Sequence, residues 1–139
     1  MIDFNFEDVE FDLPDKNTLT DWIKLAVESE GKILGDITYV FCSDEYLWNM
    51  NKQYLNHDYY TDIITFDYCE GKKLSGDLFI SIDSVRENAV EYGVEFDDEL
   101  HRVMVHGLLH LIGYDDHTPE EEKTIHEKED YYLKLRNIV

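Results

Sequence analysis

The segment VMVHGLLHLIGYDDHT, residues 103–118, decides how this sequence folds. Its first ten residues are almost entirely apolar, which predicts a helix that is buried on nearly all sides. His106 and His110 interrupt this surface four residues apart, so both imidazoles lie on one face of the helix, one turn apart. Burying a polar side chain without a partner costs about 1–3 kcal/mol. The histidine pair therefore indicates a cleft in which both rings find a ligand or solvent.

Two histidines at this spacing can bind one metal ion. Gly113 is predicted to end the helix in a left-handed conformation, which lets the chain return towards the same ion with either Asp116 or His117. In an extended turn, adjacent side chains point in opposite directions, so one of the two coordinates and the other does not. His117 is a good zinc ligand, and two histidines with a carboxylate are also an accepted zinc set. A carboxylate would also suit non-haem iron(II), which is the alternative metal.

Gly107 separates this pattern from that of a helical zinc protease. In such proteases a glutamate directly follows the first histidine and acts as the general base. Here glycine occupies that position. The sequence therefore argues against a metallopeptidase.

Length, composition and charge limit the remaining possibilities. The 139 residues, 43% of them hydrophobic, predict a single domain spanning residues 1–139. The net charge of −20 argues against loose, phosphate-driven binding of nucleic acids. We expect no signal peptide, because the N-terminus is acidic, and no membrane span, because no apolar run approaches the ~20 residues needed. Cys42 and Cys69 lack metal-binding spacing and are predicted to be reduced core thiols of a cytosolic protein.

Strand and helix signals alternate along the chain and predict the fold class. Predicted strands are residues 4–13, as one bulged or two short strands, then 37–43 and a hairpin of 61–68 with 76–82. Predicted helices run from a cap at Asn17 to Gly31, from 43 to about 54, from a cap at Asp83 to Gly93, from a cap at Asp97 through the opening segment, and from Pro119 to about Arg136. The prediction is an α+β fold: a mixed β-sheet flanked by helices, with a central buried helix that carries the metal-binding histidines.

Three segments resemble a known family. HGLLHLIGYDDH (106–117) resembles the H-G-x-L-H-L-x-G-Y-D-H signature of the YbeY family, bacterial metal-dependent endoribonucleases and rRNA maturation factors. TDIITFDY (61–68) is similar to the family's T-D/N-V-L-S-F segment, and GDLFIS (76–81) to its G-D-I-x-I-S strand. Length and element order look similar over essentially the whole chain.

The resemblance implies a function and a cofactor. It implies one zinc ion held by three side chains, and cytoplasmic cleavage of single-stranded RNA in ribosomal RNA maturation, at the 3′ end of the small-subunit RNA, and in ribosome quality control. The expected partners are ribosomal RNA and the small ribosomal subunit with its proteins, without DNA or membrane. The alternative is a ribosome-associated binding factor with a mainly structural metal, whose acidic surface contacts basic ribosomal proteins.

Two positions depart from the family pattern. The family places its third ligand ten residues after the first histidine, and this position is Asp116, so His106, His110 and Asp116 are the expected zinc ligands, with His117 as the alternative. The family often carries an arginine after the tyrosine that corresponds to Tyr54, where this chain has Leu55. The missing arginine is the best support for the binding-factor alternative.

Further candidates for catalysis have equally good structural interpretations. Arg102 shares the histidine face, where it can meet a phosphate or bind Glu99 or Asp98. Asp77 can orient a metal ligand or bond to the local backbone, and His57 is a polar substitute for the missing arginine or a surface residue. The remaining candidates are predicted to be structural or solvated: His101, His126, and the acidic residues Glu120, Glu121, Glu122, Glu127, Glu129 and Asp130.

Overall fold

A computed structural model describes residues 1–54 and 61–137 of the chain. In chain order the elements are β1 (Ile2–Phe6), α1 (Lys16–Ser29), β2 (Ile33–Cys42), α2 (Asp44–Tyr54), β3 (Ile63–Asp67), β4 (Lys73–Ser81), α3 (Ile82–Tyr92), α4 (Phe96–Ile112), α5 (Pro119–Lys134) and a final 3-10 turn (Leu135–Asn137). No helix among these residues combines the length and apolarity needed to cross a bilayer.

The four strands form one mixed sheet in the order β1-β2-β4-β3. β2 lies parallel to both β1 and β4, whereas β3 and β4 pair antiparallel as the predicted hairpin. Helices cover both faces of this sheet. The predicted α+β class, a mixed sheet flanked by helices, is therefore confirmed.

The two faces of the sheet bury different helices. Because successive strand residues point to opposite faces, Tyr39 and Leu78 contribute to the main core with α1, α3, α4 and α5. On the opposite face, Cys42, Leu47 and Ile64 form a smaller cluster beneath α2. Both cysteines are free thiols, as predicted, although Cys69 is only half-buried.

α4 carries both histidines and is buried along most of its circumference. At Gly107 an added Cβ would lie 2.5 Å from Cδ2 of Leu78 and 2.6 Å from Cδ1 of Ile63. Only glycine lets the helix approach β3 and β4 this closely, so the protease glutamate has no room here. The buried residues of α4 are Glu99, Leu100, Val103, Met104, Val105, Gly107, Leu108, Leu109 and Leu111.

The chain turns sharply between α4 and α5, as the sequence predicts. Gly113 ends α4 with a φ of 126°, a backbone angle that residues other than glycine rarely adopt. Pro119 occupies the first turn of α5, and the Thr118 side chain accepts a hydrogen bond of 3.1 Å from the Glu121 amide. The intervening turn is short, so Asp116 stays close to the end of α4.

Four local predictions were wrong in detail. The first strand ends at Phe6, and residues 7–15 are irregular. Asp15, not Asn17, precedes α1, in a left-handed conformation with a φ of 57°. Ser81 rather than Asp83 caps α3, by accepting a bond from the Ser84 amide, and α4 begins after Glu95 instead of Asp97. The ends of helices and strands are the part of an element that local sequence signals define least well.

Candidate metal centre

His106, His110 and Asp116 converge at the C-terminal end of α4. One ligand atom from each, two imidazole nitrogens and a carboxylate oxygen, lie within 4.8 Å of one another. The Nε2 atoms of the histidines are 3.0 Å apart, and Oδ2 of Asp116 lies 3.6 Å from His106 and 3.4 Å from His110. All three side chains are partly exposed, by 25%, 29% and 37% respectively, so an ion can reach them.

These separations fit a single metal ion. Zinc bonds of about 2.0–2.2 Å in tetrahedral geometry hold two ligand atoms about 3.3–3.6 Å apart. The two distances to Asp116 match this range, and the 3.0 Å between the Nε2 atoms of the two histidines is slightly shorter. Two imidazole nitrogens this close either share a proton or face a common cation. Three protein ligands, rather than four, are the donor set of catalytic zinc sites.

The nitrogen of His106 that faces away from the other two ligand atoms, Nδ1, is hydrogen-bonded to Glu129, a residue that the sequence analysis did not connect with the site. Nδ1 of His106 lies 2.7 Å from Oε2 of Glu129, on α5. Only 1% of the Glu129 side chain is exposed, whereas the sequence predicts a solvated residue. That prediction was wrong, although the spacing held a signal: Glu129 follows Ile125 by four residues and precedes Tyr132 by three, which places it on the buried face of α5.

Arg102 is held by the same carboxylate. Its Nη1 donates to Oε1 of Glu129 at 2.9 Å, and its Nη2 donates to Asp130 at 2.6 Å. The predicted alternatives, Glu99 and Asp98, are not its ion-pair partners; Asp98 instead accepts from Arg136 at 2.9 Å. Arg102 is therefore occupied by two carboxylates next to the metal centre.

The buried charges shift each other's pKa in opposite directions. Burial alone would raise the pKa of Glu129, but the hydrogen bonds from His106 and Arg102 outweigh it and hold the pKa below its ordinary value. Burial alone would lower the pKa of His106, yet the hydrogen bond to Glu129 and the nearby carboxylates raise it. Asp62 borders a cavity of about 180 Å³ beside His106, and burial raises its pKa.

Two of the remaining sequence candidates, His117 and Asp77, lie away from the three ligands. His117 is exposed and lies outside the cluster. Asp77 neighbours Leu78, which packs beneath Gly107, so Asp77 points to the opposite face of the sheet. His57 and Leu55 lie outside the described residues.

The two other histidines have structural contacts. His101 is bound through Nδ1 to Arg136 at 2.8 Å. His126 is 63% exposed, with Nδ1 lying 3.3 Å from Oε1 of Glu129. His101 therefore has the predicted structural role, and His126 is mostly solvated, with one contact to Glu129.

Fold and site together define a class of protein: an α+β domain in which a His-x-x-x-His helix packs on a mixed sheet and meets a carboxylate from the following turn. Comparison with known sequences gives the particular family. The chain belongs to the endoribonuclease YbeY family, whose sequence model matches residues 2–137. The resemblance drawn from the three sequence segments is thereby confirmed.

Individual relatives match over nearly their whole length. The endoribonuclease YbeY of Bacteroides thetaiotaomicron is 56% identical over 126 residues, covering 89% of this chain and 92% of that protein. That of Phocaeicola vulgatus is 50% identical over 138 residues, covering 99% and 100%. A Thermotoga maritima protein known from a solution structure superposes with a TM-score of 0.67 at 26% identity, covering 98% of this chain and 89% of that one.

Proposed function

We propose that the chain, acting as one domain over residues 1–139, is a metal-dependent endoribonuclease that cleaves single-stranded RNA. The observation that carries the proposal is the convergence of His106, His110 and Asp116, whose ligand atoms lie within 4.8 Å of one another. Zinc is the proposed ion, because two imidazoles with one carboxylate are an accepted catalytic zinc set. The family assignment supports RNA as the substrate.

The residues of the site would have different roles in such a reaction. A divalent ion held by these three side chains would supply Lewis acidity, which would polarise a phosphoryl oxygen and lower the pKa of water towards about 7. His106 and His110 offer neutral nitrogens, and Asp116 adds one negative charge that partly offsets the charge of the ion. Gly107 lets α4, the helix that carries both histidines, pack closely against β3 and β4, so these two ligands project from an element fixed on the sheet.

We also propose a specific biological role for this cleavage. We place the cleavage in the cytoplasm, in maturation of ribosomal RNA at the 3′ end of the small-subunit RNA and in ribosome quality control, with the small ribosomal subunit and its proteins as partners. The net charge of −20 disfavours non-specific binding to polyanions. Partner proteins on the ribosome would then help to direct the enzyme to its RNA.

A variant pair tests the proposal. His110→Ala removes a proposed ligand, and His117→Ala makes the same substitution at an exposed histidine outside the cluster. Cleavage of single-stranded RNA should be lost in His110→Ala and after chelation, should return to the wild type when zinc is restored, and should persist in His117→Ala. Circular dichroism of each variant checks folding, since loss of a ligand also affects stability. Unchanged cleavage in folded His110→Ala would refute the mechanism, and ribosome binding without cleavage would favour the binding-factor alternative.

A further inference from the structure

We infer that Glu129 is a positioning residue for the candidate metal centre: its buried carboxylate accepts the Nδ1–H of His106 and fixes the ring with Nε2 facing the ion. The inference rests on the proposed function, because it concerns one of the three proposed ligands. It adds a residue from α5, a helix that carries none of the ligands.

The geometry of the His106 ring supports this role. Nδ1 lies 2.7 Å from Oε2 of Glu129, while Nε2, on the other side of the ring, lies 3.0 Å from Nε2 of His110. A neutral imidazole carries its proton on one nitrogen and its lone pair on the other. A carboxylate at Nδ1 therefore selects the tautomer whose lone pair faces the other two ligands.

Glu129 is itself held in place. Its other oxygen, Oε1, accepts from Nη1 of Arg102 at 2.9 Å and lies 3.3 Å from Nδ1 of His126. Only 1% of the side chain is exposed, so water does not compete for these bonds. With both oxygens occupied, the carboxylate cannot rotate away from His106 without losing a charge-assisted hydrogen bond.

Neutralising Arg102 does not by itself account for Glu129. Arg102 already donates at 2.6 Å to the carboxylate of Asp130, which is 58% exposed and therefore costs little to desolvate. A second carboxylate in a buried position carries a substantial desolvation penalty. Glu129 makes two contacts that Asp130 does not: one to His106 at 2.7 Å, and a longer one of 3.3 Å to His126, whose side chain is 63% exposed. The shorter of the two is the bond to a proposed metal ligand.

Zinc affinity provides the first test. Glu129→Ala removes the acceptor, whereas Glu129→Gln keeps the size and one acceptor oxygen but loses the charge. Glu122→Gln makes the same amide substitution at an exposed position of α5. Loss of an outer partner of a ligating histidine typically costs about 10–100-fold in metal affinity. We expect a loss of this size in Glu129→Ala, a smaller loss in Glu129→Gln and none in Glu122→Gln.

The histidine tautomer provides the second test, without metal. In wild type at alkaline pH, where the ring is neutral, the ¹⁵N shifts of His106 should report a proton on Nδ1. Glu129→Gln should increase the population with the proton on Nε2, a change that a purely structural role would not cause. Glu129→Gln is nearly isosteric, so it keeps the test possible if Glu129→Ala does not fold.

Each result has a distinct meaning. Wild-type zinc affinity retained in both folded Glu129 variants would overturn the inference while leaving the proposed metal site intact. A wild-type His106 with its proton on Nε2 would overturn it as well. A wild type that binds no zinc would refute the proposed function, and the tautomer measurement would still decide the role of Glu129.

Discussion

Asp116, rather than its neighbour His117, lies where a third metal ligand is needed. Its Oδ2 lies 3.4 Å from His110 and 3.6 Å from His106, whereas the adjacent His117 is exposed. The signature H-G-x-L-H-L-x-G-Y-D-H has a histidine at this position, where this chain has Asp116, so a carboxylate ligand would change the charge of the centre. A carboxylate ligand leaves the site less positive than three neutral imidazoles would, which makes bound water less acidic and the activity optimum more alkaline.

The variant Asp116→Asn should lose zinc affinity while Asp115→Asn does not. Asparagine keeps the size of the side chain but removes the anionic oxygen, and Asp115 is an exposed neighbour that offers the same substitution. We expect a loss of at least the ~10–100-fold that is typical when only an outer partner is removed. Metal titration measures it, with His117→Gln as a third sample. Retained affinity in Asp116→Asn together with a loss in His117→Gln would place His117 on the ion.

The residues of the candidate metal centre were predictable from sequence to different degrees. His106 and His110 follow from helical spacing alone, because a single local rule fixes their shared face. Asp116 required the register of a family signature, since chemistry alone left His117 open. Glu129 was missed because it stands among acidic neighbours, and its partner is 23 residues away in sequence, on another helix. Helical spacing could have shown that Glu129 is buried, but no local pattern could have shown that its partner is His106.

α4 is the element whose packing positions the site. Gly107 faces β3 and β4 at a distance that leaves no space for a Cβ. Glycine in the middle of an exposed helix is unfavourable by roughly 0.5–1 kcal/mol relative to alanine. Its presence here is explained by the close approach of helix and sheet, which places both histidines at the open edge of the core.

Gly107→Ala should therefore destabilise the protein, although the same change in an open helix stabilises it. The added methyl group would meet Cδ2 of Leu78 and Cδ1 of Ile63, and overpacking of a core typically costs about 1–3 kcal/mol. Urea unfolding without metal measures the free energy of unfolding. Glu87→Ala, at an exposed position of α3, is the control and should stay within about 0.5 kcal/mol of wild type. An increase in stability for Gly107→Ala would show that the contact is looser than described.

At the scale of the whole molecule, the class was predictable and the connectivity was not. Periodicity predicted the five α-helices found in residues 1–54 and 61–137 and the β3–β4 hairpin, because these signals are local. The order β1-β2-β4-β3 depends on pairing between strands far apart in the chain, for which the sequence carries no short-range signal. Residues 7–13 alternate like a strand but form none; the amide of Glu7 still donates to the Phe41 carbonyl of β2 at 2.9 Å, and the chain is irregular from there to α1.

Glu30 links the end of α1 to the turn after α4 and to α5, and we expect the stability that these contacts contribute to depend on pH. Its carboxylate, at the end of α1, accepts hydrogen bonds from Tyr114 at 2.6 Å, from Lys128 at 3.1 Å and from Tyr132. Burial alone would raise the pKa of Glu30, but these bonds outweigh it and lower the pKa below the ordinary 4.5. A lowered pKa in the folded state contributes stability that is complete above pH 4.5 and lost as the pH falls through the folded value.

Glu30→Gln should therefore be less stable than wild type at neutral pH, and the difference should shrink as the pH falls below 4.5. The amide can still accept hydrogen bonds, but it lacks the charge that favours the bond from Lys128. Glu28→Gln makes the same change at an exposed position of α1 and should show a difference that is small at every pH. Thermal unfolding of the three proteins across the acidic range measures both differences. A gap between wild type and Glu30→Gln that stays constant with pH would mean that the ionised carboxylate is not what joins α1 to the turn after α4 and to α5.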